Sequence, residues 1–293
     1  MVAASQESGV LRNTFQHIPG IGPKIELRLW DAGIPDWRSA LDLPASRIPL
    51  RKADAFSRHI DESVRALEAG DPRFFTDRMP TGLHWRLFPE FRHDIAYLDI
   101  ETTGMDLWGA EITTIALYDG REVRTYVQGL NLEAFVDDIE AFRILVTYNG
   151  KGFDVPFIER YFRTRLDHAH IDLRHVLKRL GYGGGLKACE RALEIDRGTL
   201  RGVDGFFAVL LWQDYIRNRN PKALETLLAY NIEDVVHLEA LLVAAYNLNL
   251  RGTPYAASHE LAQPEMPALP FRPDLPTIER IRRQVFSGAT PFG

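Results

Sequence analysis

Three strand-like segments in the middle of the chain constrain the fold more than any other feature. They read IAYLDIET (95–102), EITTIALY (111–118) and REVRTYVQ (121–128), and Asp119-Gly120 joins the last two. Asp-Gly between apolar segments is a strong signal for a tight β-hairpin. Helix-like segments then alternate with a short apolar strand, ILVTYN. We therefore predict an α/β domain with a mixed sheet flanked by helices.

The composition on either side of these strands divides the chain into four predicted parts. Residues 1–70 are expected to form a small helical domain, and the aromatic, irregular segment 71–90 is expected to be a linker. The α/β domain spans 91–250 in this prediction. Residues 251–293 contain seven prolines, and we expect them to form a tail over the surface.

The overall composition is that of an ordinary globular protein and excludes several classes. No apolar segment approaches the roughly 20 residues of a membrane helix, and the first residues lack the pattern of a secretory signal. The single cysteine, Cys189, excludes an intramolecular disulfide, and no Cys/His cluster has zinc spacing. We expect a protein without membrane contact, located in a reducing cytoplasm.

Basic residues are concentrated in one part of the chain, although the net charge is −5. Eight Lys/Arg lie between Arg160 and Arg191, against three acidic residues. A basic strip beside an acidic pocket suits a protein that holds a phosphate backbone next to bound cations. The alternative, a solvated helix face, remains open at this point.

Asp99 and Glu101 are candidate metal ligands. On a strand, residues two apart point the same way, so these carboxylates share one face while Leu98 and Ile100 share the other. Adjacent buried carboxylates repel each other unless cations neutralise them, and Mg²⁺ is the oxygen-binding cation that we expect. An edge strand with an acidic solvent face is the alternative.

Two further segments carry candidate residues, each with a plain structural alternative. Asp154 begins a helix after YNGKGF and could simply cap it, and Asn149 could be a turn residue. Tyr230 and Asp234 are four apart on a predicted helix and therefore stack on one face, where they could be a surface pair. Glu233, about 100° away on that helix, is expected to face solvent.

In combination these segments resemble the DEDD superfamily of 3′–5′ exonucleases, which have the ribonuclease-H-like fold. DIE (99–101), YNGKGFD (148–154) and YNIED (230–234) match its three motifs in order, with the Tyr-x-x-x-Asp form of the tyrosine branch. Within this branch the chain resembles the YprB-like family, which also has elements such as HIDL (170–173) and GGLKACE (184–190). The resemblance covers about 85–250.

The resemblance implies a two-metal-ion nuclease that uses Mg²⁺ or Mn²⁺. In that mechanism Asp99 bridges two ions, Glu101 and Asp234 complete the first site, and Asp154 holds the second largely through water. Tyr230 would orient the attacking water, because a phenol with a pKa near 10 is a poor base at pH 7.

Further positions are candidate contacts to nucleic acid. Thr102 and Thr103 follow the first motif and could meet the terminal nucleotide. Asn149, within the second motif, is another candidate, and Lys187, in GGLKACE, could contact a phosphate. Asp172, in HIDL, is expected to cap a helix. His168, His170 and His175 do not match positions that the tyrosine branch uses, and we expect them to be structural or exposed.

The segment FQHIPGIGPK near the N-terminus resembles a helix-hairpin-helix motif, which fits Ile18, Gly20, Ile21 and Gly22. Glycines permit the tight turn, and amides at the next helix N-terminus would bind a phosphate with help from Lys24. Residues 1–90 hold twelve Lys/Arg and twelve Asp/Glu, so the basic surplus of a strong DNA anchor is absent. A hairpin that packs against protein is the alternative.

These features predict a 3′–5′ exonuclease that acts on nucleic-acid ends, with DNA favoured because of the helix-hairpin-helix resemblance, in repair or end processing. An RNA-trimming enzyme with the same metal centre is one alternative, since the carboxylates do not sense the 2′-OH. A non-catalytic nucleic-acid-binding protein on the same fold is another, and endonuclease action also stays open.

Overall fold

The computed structural model describes residues 9–50, 53–196, 200 and 203–286, and within them the chain forms one mixed five-stranded sheet. The strand order is β3-β2-β1-β4-β5, in which β1, β2 and β3 are antiparallel neighbours, while β4 and β5 run parallel to β1. The strands are β1 (Ile95–Thr102), β2 (Ile112–Tyr118), β3 (Val123–Val127), β4 (Ile144–Thr147) and β5 (Ala169–Asp172). The predicted α/β fold class is confirmed, and β5 is a strand that the sequence pattern did not indicate.

Helices cover both faces of the sheet and make up the N-terminal part. Those in the described residues are α1 (Pro23–Asp31), α2 (Trp37–Leu41), α3 (Ala53–Glu68), α4 (Arg73–Thr76), α5 (Phe88–Phe91), α6 (Phe135–Ile139), α7 (Asp154–Phe162), α8 (Leu173–Arg179), α9 (Leu186–Ala192), α10 (Gly205–Asn218), α11 (Pro221–Leu250) and α12 (Leu275–Phe286). Short 3₁₀ turns at Val10–Asn13, Ala45–Arg47, Thr81–Leu87, Arg92–Asp94 and Leu132–Ala134 connect several of them.

Successive side chains of β1 point to opposite faces of the sheet and therefore pack in two separate hydrophobic cores. Ala96, Leu98 and Ile100 pack with α6 and α7 on one face. Ile95 and Tyr97 pack with α11 on the other face, in a core that continues into the N-terminal helices. Residues 99 and 101 continue the second series, so their side chains project toward α11.

Helix α11 is the central element of the fold and is buried on all sides. Every residue from Thr226 to Val243 is buried, because the sheet, α8 and α10 all pack against it. The expectation that Glu233 faces solvent is therefore wrong, since its side chain is only 8% exposed. Among the described residues, no helix is both long and apolar enough to cross a membrane.

Residues 71–90 are not the irregular segment that the sequence predicted. They fold into α4, the 3₁₀ turn Thr81–Leu87 and the start of α5, and Phe75, Trp85 and Phe88 are fully buried in the core that joins the N-terminal helices to the sheet. The aromatic residues thus serve packing, because burial of such large rings contributes strongly to a core. The domain boundaries themselves stay a prediction.

The proline-rich C-terminal tail also contains a helix that was not predicted. Helix α12 begins at Leu275, and Asp274 accepts a hydrogen bond from the Thr277 amide (3.0 Å). Its Ile278 and Ile281 are buried against α10 and α11, and Arg280 pairs with the buried Asp214. Proline is tolerated in the first turn of a helix, so Pro276 does not prevent α12 from forming.

Candidate functional site

Three carboxylates from distant parts of the chain meet beside the middle of the sheet. Asp99 and Glu101 project from β1, Asp234 projects from α11, and one carboxylate oxygen of each lies within 4.8 Å of the other two. Glu101 and Asp234 are buried, and Asp99 is partly buried. The edge-strand alternative for Asp99 and Glu101 is wrong, because β1 lies in the centre of the sheet with β2 and β4 on its two sides.

Asp154 approaches the same point from the opposite face of the sheet. It is the first residue of α7, it is 4% exposed, and its Oδ1 accepts a hydrogen bond from the Ile100 amide (3.2 Å), between the two carboxylates of β1. Its side chain bonds to β1, so the role of a simple helix cap does not describe it. The four acidic residues predicted from sequence are thus brought together.

Burial and nearby carboxylates raise the pKa of two of these groups, Asp99 and Asp154. Burial raises the pKa of Asp99 well above its ordinary value, and Asp154, Asp234 and Glu101 raise it further. Burial also raises the pKa of Asp154 to about 7, against the effect of hydrogen bonds from its own amide and that of Ile100. At neutral pH such a cluster requires bound protons or cations. Its all-oxygen carboxylate donors suit Mg²⁺ or Mn²⁺.

Asn231 is a residue of the carboxylate site that the sequence reasoning missed. Its Nδ2 donates to Asp99 Oδ2 (2.7 Å) and to the Asp99 carbonyl (3.3 Å), while its Oδ1 accepts from Thr114 Oγ1 (3.0 Å). The amide therefore links β1, β2 and α11 and fixes the rotamer of Asp99. The sequence signal was its position three residues before Asp234, which places it on the same side of the helix.

Tyr230 lies one helical turn before Asp234 and is 3% exposed, so the alternative of a surface pair is wrong. Lys187 of α9 donates to the Tyr230 hydroxyl (2.7 Å), and its ammonium lies 4.4 Å from the centre of the Tyr230 ring. Lys187 also donates to the Val203 carbonyl. Lys187 was predicted to contact a phosphate; the structure adds a direct contact between this lysine and the tyrosine of the third motif.

Asp172 organises the turn that leads to Asp154. It caps α8 as predicted, by accepting from the Arg174 amide (3.0 Å), and it also accepts from the amides of Asn149 (2.8 Å) and Lys151 (3.2 Å). Asn149 has a positive φ of 69°, which fits the predicted turn role, and its Oδ1 accepts from the Arg174 guanidinium. The buried Asp172 therefore holds the second motif in place.

The glycine in the middle of this turn has no room for a side chain. A β-carbon at Gly150 would lie 2.6 Å from Thr147 Cβ, and the Thr147 hydroxyl is already bonded to His170 (2.8 Å) and to the Gly150 amide (2.9 Å). We expect Gly150→Ala to lower the free energy of unfolding by about 1–3 kcal/mol, as overpacking does. Urea denaturation measures this loss.

The matched control is Gly152→Ala in the same turn, where a β-carbon would lie 3.4 Å from Asn149 Oδ1, an ordinary contact distance. We expect this variant to change the unfolding free energy by less than about 1 kcal/mol. Equal losses in the two variants would contradict the argument from the Thr147 contact.

Thr102 and Thr103 lie where β1 leaves the carboxylate site. The register of β1 with β2 shifts between Glu101 and Thr102. The Thr102 hydroxyl donates to the Gly104 carbonyl (2.6 Å), and the Thr103 hydroxyl accepts from the Glu111 amide (2.9 Å). Both hydroxyls thus support the loop after β1, and their contact with a nucleotide stays a prediction.

The predicted helix-hairpin-helix segment forms a tight, exposed turn. The Ile21 amide bonds to the Ile18 carbonyl (3.0 Å), and Gly20 has a φ of 86°, which a type II turn requires at its third residue. Gly22 then precedes α1, and Lys24 is exposed in its first turn. Phosphate binding by this turn stays a prediction.

The sheet order, the antiparallel-then-parallel pairing and the carboxylates on its central strand define the class of ribonuclease-H-like α/β proteins. Residues 96–246 match the RNase_H superfamily, and because this match covers half of the chain, the protein belongs to that superfamily. This span contains all five predicted catalytic residues, Asp99, Glu101, Asp154, Tyr230 and Asp234.

A relative with a curated sequence is the uncharacterized protein YprB of Bacillus subtilis (strain 168), which is 27% identical over 181 residues. The alignment covers 52% of this chain and 42% of YprB, so the chain spans less than half the length of this relative. No solved structure matches the chain.

Proposed function

We propose that this protein is a metal-dependent 3′–5′ exonuclease of the tyrosine branch of the DEDD superfamily. The observation that carries the proposal is the convergence of Asp99, Glu101 and Asp234 within 4.8 Å, with Asp154 bonded to the same strand. Carboxylates with raised pKa values in a buried site are typical of metal-assisted hydrolysis. The direction of degradation rests on the resemblance of the three motifs.

The carboxylates have distinct positions, and we assign their roles accordingly. Asp99, Glu101 and Asp234 would hold one Mg²⁺ or Mn²⁺, and Asp99 and Asp154 would hold a second. Bound divalent ions stabilise charge on the phosphate and lower the pKa of water. The chain itself fixes the ligand geometry: Asn231 holds Asp99, the Ile100 amide holds Asp154, and the buried α11 holds Asp234.

Tyr230 and Lys187 supply the polar groups beside these carboxylates. In our proposal the Tyr230 hydroxyl orients the attacking water, and Lys187 holds that hydroxyl in place and contributes positive charge near the scissile phosphate. A lysine that donates to the phenol oxygen leaves the phenol proton free to reach another acceptor, because a hydroxyl is both a donor and an acceptor.

Other residues would bind the nucleic acid without taking part in the chemistry. Thr102, Thr103 and Asn149 would contact the terminal nucleotides, while Gly20, Gly22 and Lys24 would bind a backbone phosphate at the start of α1. This second contact, which resembles a helix-hairpin-helix motif, favours DNA over RNA and a role in repair or end processing. A cytoplasmic location is part of the same proposal.

The direct test is degradation of labelled substrates with Mn²⁺ or Mg²⁺. We expect a 5′-labelled single strand to be shortened progressively from its 3′ end, and EDTA to stop the reaction. Parallel DNA and RNA strands, blunt duplex and closed circular DNA separate the alternatives: cleavage of the circle indicates an endonuclease, and preference for RNA indicates a trimming ribonuclease. Binding without degradation of any substrate would favour a non-catalytic protein.

Tyr230→Phe tests the role of the hydroxyl. The ring and its packing are kept, so we expect kcat to fall on the order of 100-fold with KM changed little, as for loss of a positioning group. Tyr126→Phe is the control. The Tyr126 hydroxyl donates to Asp138 of α6 (2.7 Å), which is not one of the four carboxylates of the candidate site. Similar kinetics for wild type and Tyr230→Phe would exclude the positioning role.

A further inference from the structure

Residues 173–189 form a segment of the chain that contains no acidic residue. Its basic residues are Arg174, Lys178 and Arg179, which belong to α8, and Lys187, which belongs to α9. The other four basic residues of the predicted basic strip lie on α7, in the chain that follows it, or near the end of α9. The predicted strip is therefore divided among several elements, and α8 carries three of its eight residues.

Helix α8 presents a face that is composed only of basic side chains and a histidine. Its four exposed residues are Arg174, His175, Lys178 and Arg179, and its other three residues are buried. Positions 174 and 178 are one turn apart, as are 175 and 179, so the four side chains share one side of the helix.

The positive charges of this face are not neutralised by neighbouring acids. Within the described part of the chain, no carboxylate forms an ion pair with Arg174, Lys178 or Arg179. Like charges one helical turn apart repel each other and destabilise a helix. A bound polyanion would relieve this repulsion.

Hydrogen bonds join the start of α8 to the turn that carries Asp154. The Arg174 guanidinium donates to the Asn149 side chain, and Asp172, which caps α8, accepts from the amides of Asn149 (2.8 Å) and Lys151 (3.2 Å). The side chain of Lys151 is exposed in this turn. The turn ends at Asp154, whose carboxylate bonds to β1. The basic face therefore begins beside an element of the candidate catalytic site.

The other end of the acid-free segment reaches the tyrosine of the third motif. Gly181 and the glycines at 183–185 are exposed, so no side chain there keeps a ligand away from the backbone. Lys187 follows in the first turn of α9 and donates to the Tyr230 hydroxyl (2.7 Å). The segment thus connects α8 to the candidate site by a second route.

The dimensions of α8 suit a nucleic-acid backbone. Strands β4 and β5 are parallel and pair Thr147 with Asp172, so α8 begins at the same edge of the sheet as the turn that leads to Asp154. Seven helical residues extend for about 10 Å, and a nucleic-acid strand places one phosphate about every 3.4 Å along its axis. The face therefore matches about two or three successive phosphates.

We propose that the basic face of α8, formed by Arg174, His175, Lys178 and Arg179, binds the phosphate backbone of the strand that remains after each cut. This inference rests on the proposed function and extends it, because an enzyme that holds the shortened strand removes several nucleotides in one binding event. Contacts to phosphates carry no sequence information, so the face would hold any sequence. No exposed residue of α8 is apolar, which favours a polyanion over an apolar partner.

The test measures the affinity for a labelled thymidine oligomer by anisotropy in EDTA, and a gel verifies that the strand stays intact. Lys178→Gln/Arg179→Gln removes two charges. We expect this double variant to bind on the order of 10-fold more weakly at low salt. The slope of log Kd against log salt should decrease by about 1.4, because each phosphate contact to a single strand contributes about 0.7. A uridine oligomer and an abasic oligomer should show the same loss, because they share the phosphate backbone.

Two control variants separate a local contact from an effect of net charge. Arg58→Gln/Arg65→Gln removes two exposed charges from α3 and should bind like the wild type. Lys178→Arg/Arg179→Lys keeps both charges on α8 and should also bind like the wild type. Thermal melting verifies that each variant is folded. Equal losses in the α8 and α3 glutamine variants, or an unchanged salt dependence in the α8 variant, would overturn the proposal.

A polyglutamate peptide tests the alternative of an acidic protein segment. We expect it to compete for the protein much more weakly than a thymidine oligomer of equal charge. If the peptide competes as well as the oligomer, the face is a general acidic-partner site and the proposal fails. Failure of the wild type to bind any strand would also contradict it.

Degradation in the presence of a heparin trap tests whether the shortened strand is retained. The protein is bound to a 5′-labelled strand, and the reaction is started with Mn²⁺ and heparin together. The wild type should remove several nucleotides from each bound strand, and Lys178→Gln/Arg179→Gln should remove little beyond the first. If both proteins degrade the strand equally far, the role of α8 is wrong and the proposed function stands. If no strand is degraded but binding depends on α8, the proposed function fails and the backbone contact stands.

Discussion

Asp99→Asn should abolish most of the activity and at the same time stabilise the metal-free protein. Asp99 has carboxylate neighbours from three other positions, and in our proposal it is the ligand shared by both ions. Loss of several kcal/mol of metal-dependent stabilisation of the transition state corresponds to a decrease in kcat/KM of about 1000-fold or more. Degradation of a labelled single strand with Mn²⁺ measures the loss.

The stabilising effect follows from the electrostatics of the carboxylate cluster when EDTA removes divalent ions. An asparagine at 99 can still accept the hydrogen bond from Asn231 Nδ2, but it removes one of four mutually repelling acids. We expect the unfolding free energy in EDTA to rise by at least about 1 kcal/mol, or roughly 2–4 °C in Tm. Addition of Mn²⁺ should then raise the Tm of the wild type more than that of the variant, because a ligand stabilises the state that binds it.

The same prediction has a pH dependence with a definite sign. The pKa of Asp99 is raised well above its ordinary value and that of Asp154 is raised to about 7, so the folded protein holds protons that the unfolded chain releases. The contribution of these two carboxyls to the stability of the metal-free wild type should therefore be full below about pH 4, the unfolded value, and be lost as the pH rises through 7. Asp99→Asn should show a shallower decline over this range.

A matched control separates this effect from a general change in charge. Asp137→Asn removes an exposed carboxylate from α6 and should leave the activity, the Tm in EDTA and the pH profile nearly unchanged. If Asp99→Asn degrades DNA at the wild-type rate, the metal-centre assignment is wrong. If it is instead less stable than wild type in EDTA, the repulsion argument is wrong even if the activity is lost.

The sequence was sufficient to predict the acidic site because its geometry follows from local periodicity. Asp99 and Glu101 share a face on any strand, and Tyr230 and Asp234 share a side of any helix. The prediction that these elements converge came from the resemblance of the three motifs, in their order, to a known family. The roles of the residues in metal binding and catalysis stay predictions.

The sequence did not reveal interactions that depend on tertiary partners. Asn231 acquires its role only because Thr114 of β2 and Asp99 of β1 lie on its two sides. Glu233 is buried because the sheet, α8 and α10 together cover α11, and a helical period with one apolar face does not indicate such burial. In the same way, Lys187 gains its contact with Tyr230 only when α9 packs on α11.

Elements with weak local patterns were also missed. Strand β5 has only four residues, AHID, and the alternation of a histidine with apolar residues gives little signal at that length. Helix α12 follows several prolines, which normally mark irregular chain, and its Ile278 and Ile281 become a signal only when the core that receives them is known.

Glu26→Ala is expected to cause the largest loss of stability, and the effect should be concentrated in the N-terminal helices. Glu26 lies in the first turn of α1 and is 2% exposed. Its carboxylate accepts hydrogen bonds from the Thr14 hydroxyl (2.6 Å), the Phe15 amide (2.8 Å) and the Gln16 side chain, and it pairs with the buried Arg86 guanidinium (3.3 Å).

The expected cost is about 3–5 kcal/mol, because removal of one partner leaves a buried charge without its counter-ion. Burial already lowers the pKa of Arg86, and Glu26 is the main group that opposes this effect. Urea denaturation measures the loss. Arg38→Ala is the control: its pair with Asp42 is 92% and 73% exposed, so we expect less than about 0.5 kcal/mol.

A double-mutant cycle with Arg86→Met tests the physical cause. If the cost of Glu26→Ala comes from the unpaired guanidinium, Arg86→Met should recover part of the lost stability, because methionine removes the charge and keeps an apolar side chain of similar length. The remaining loss then measures the hydrogen bonds to Thr14 and Phe15. Additive losses in the double variant would show instead that the Glu26–Arg86 pair contributes nothing. Glu26 would then stabilise the fold only through its hydrogen bonds to residues 14–16.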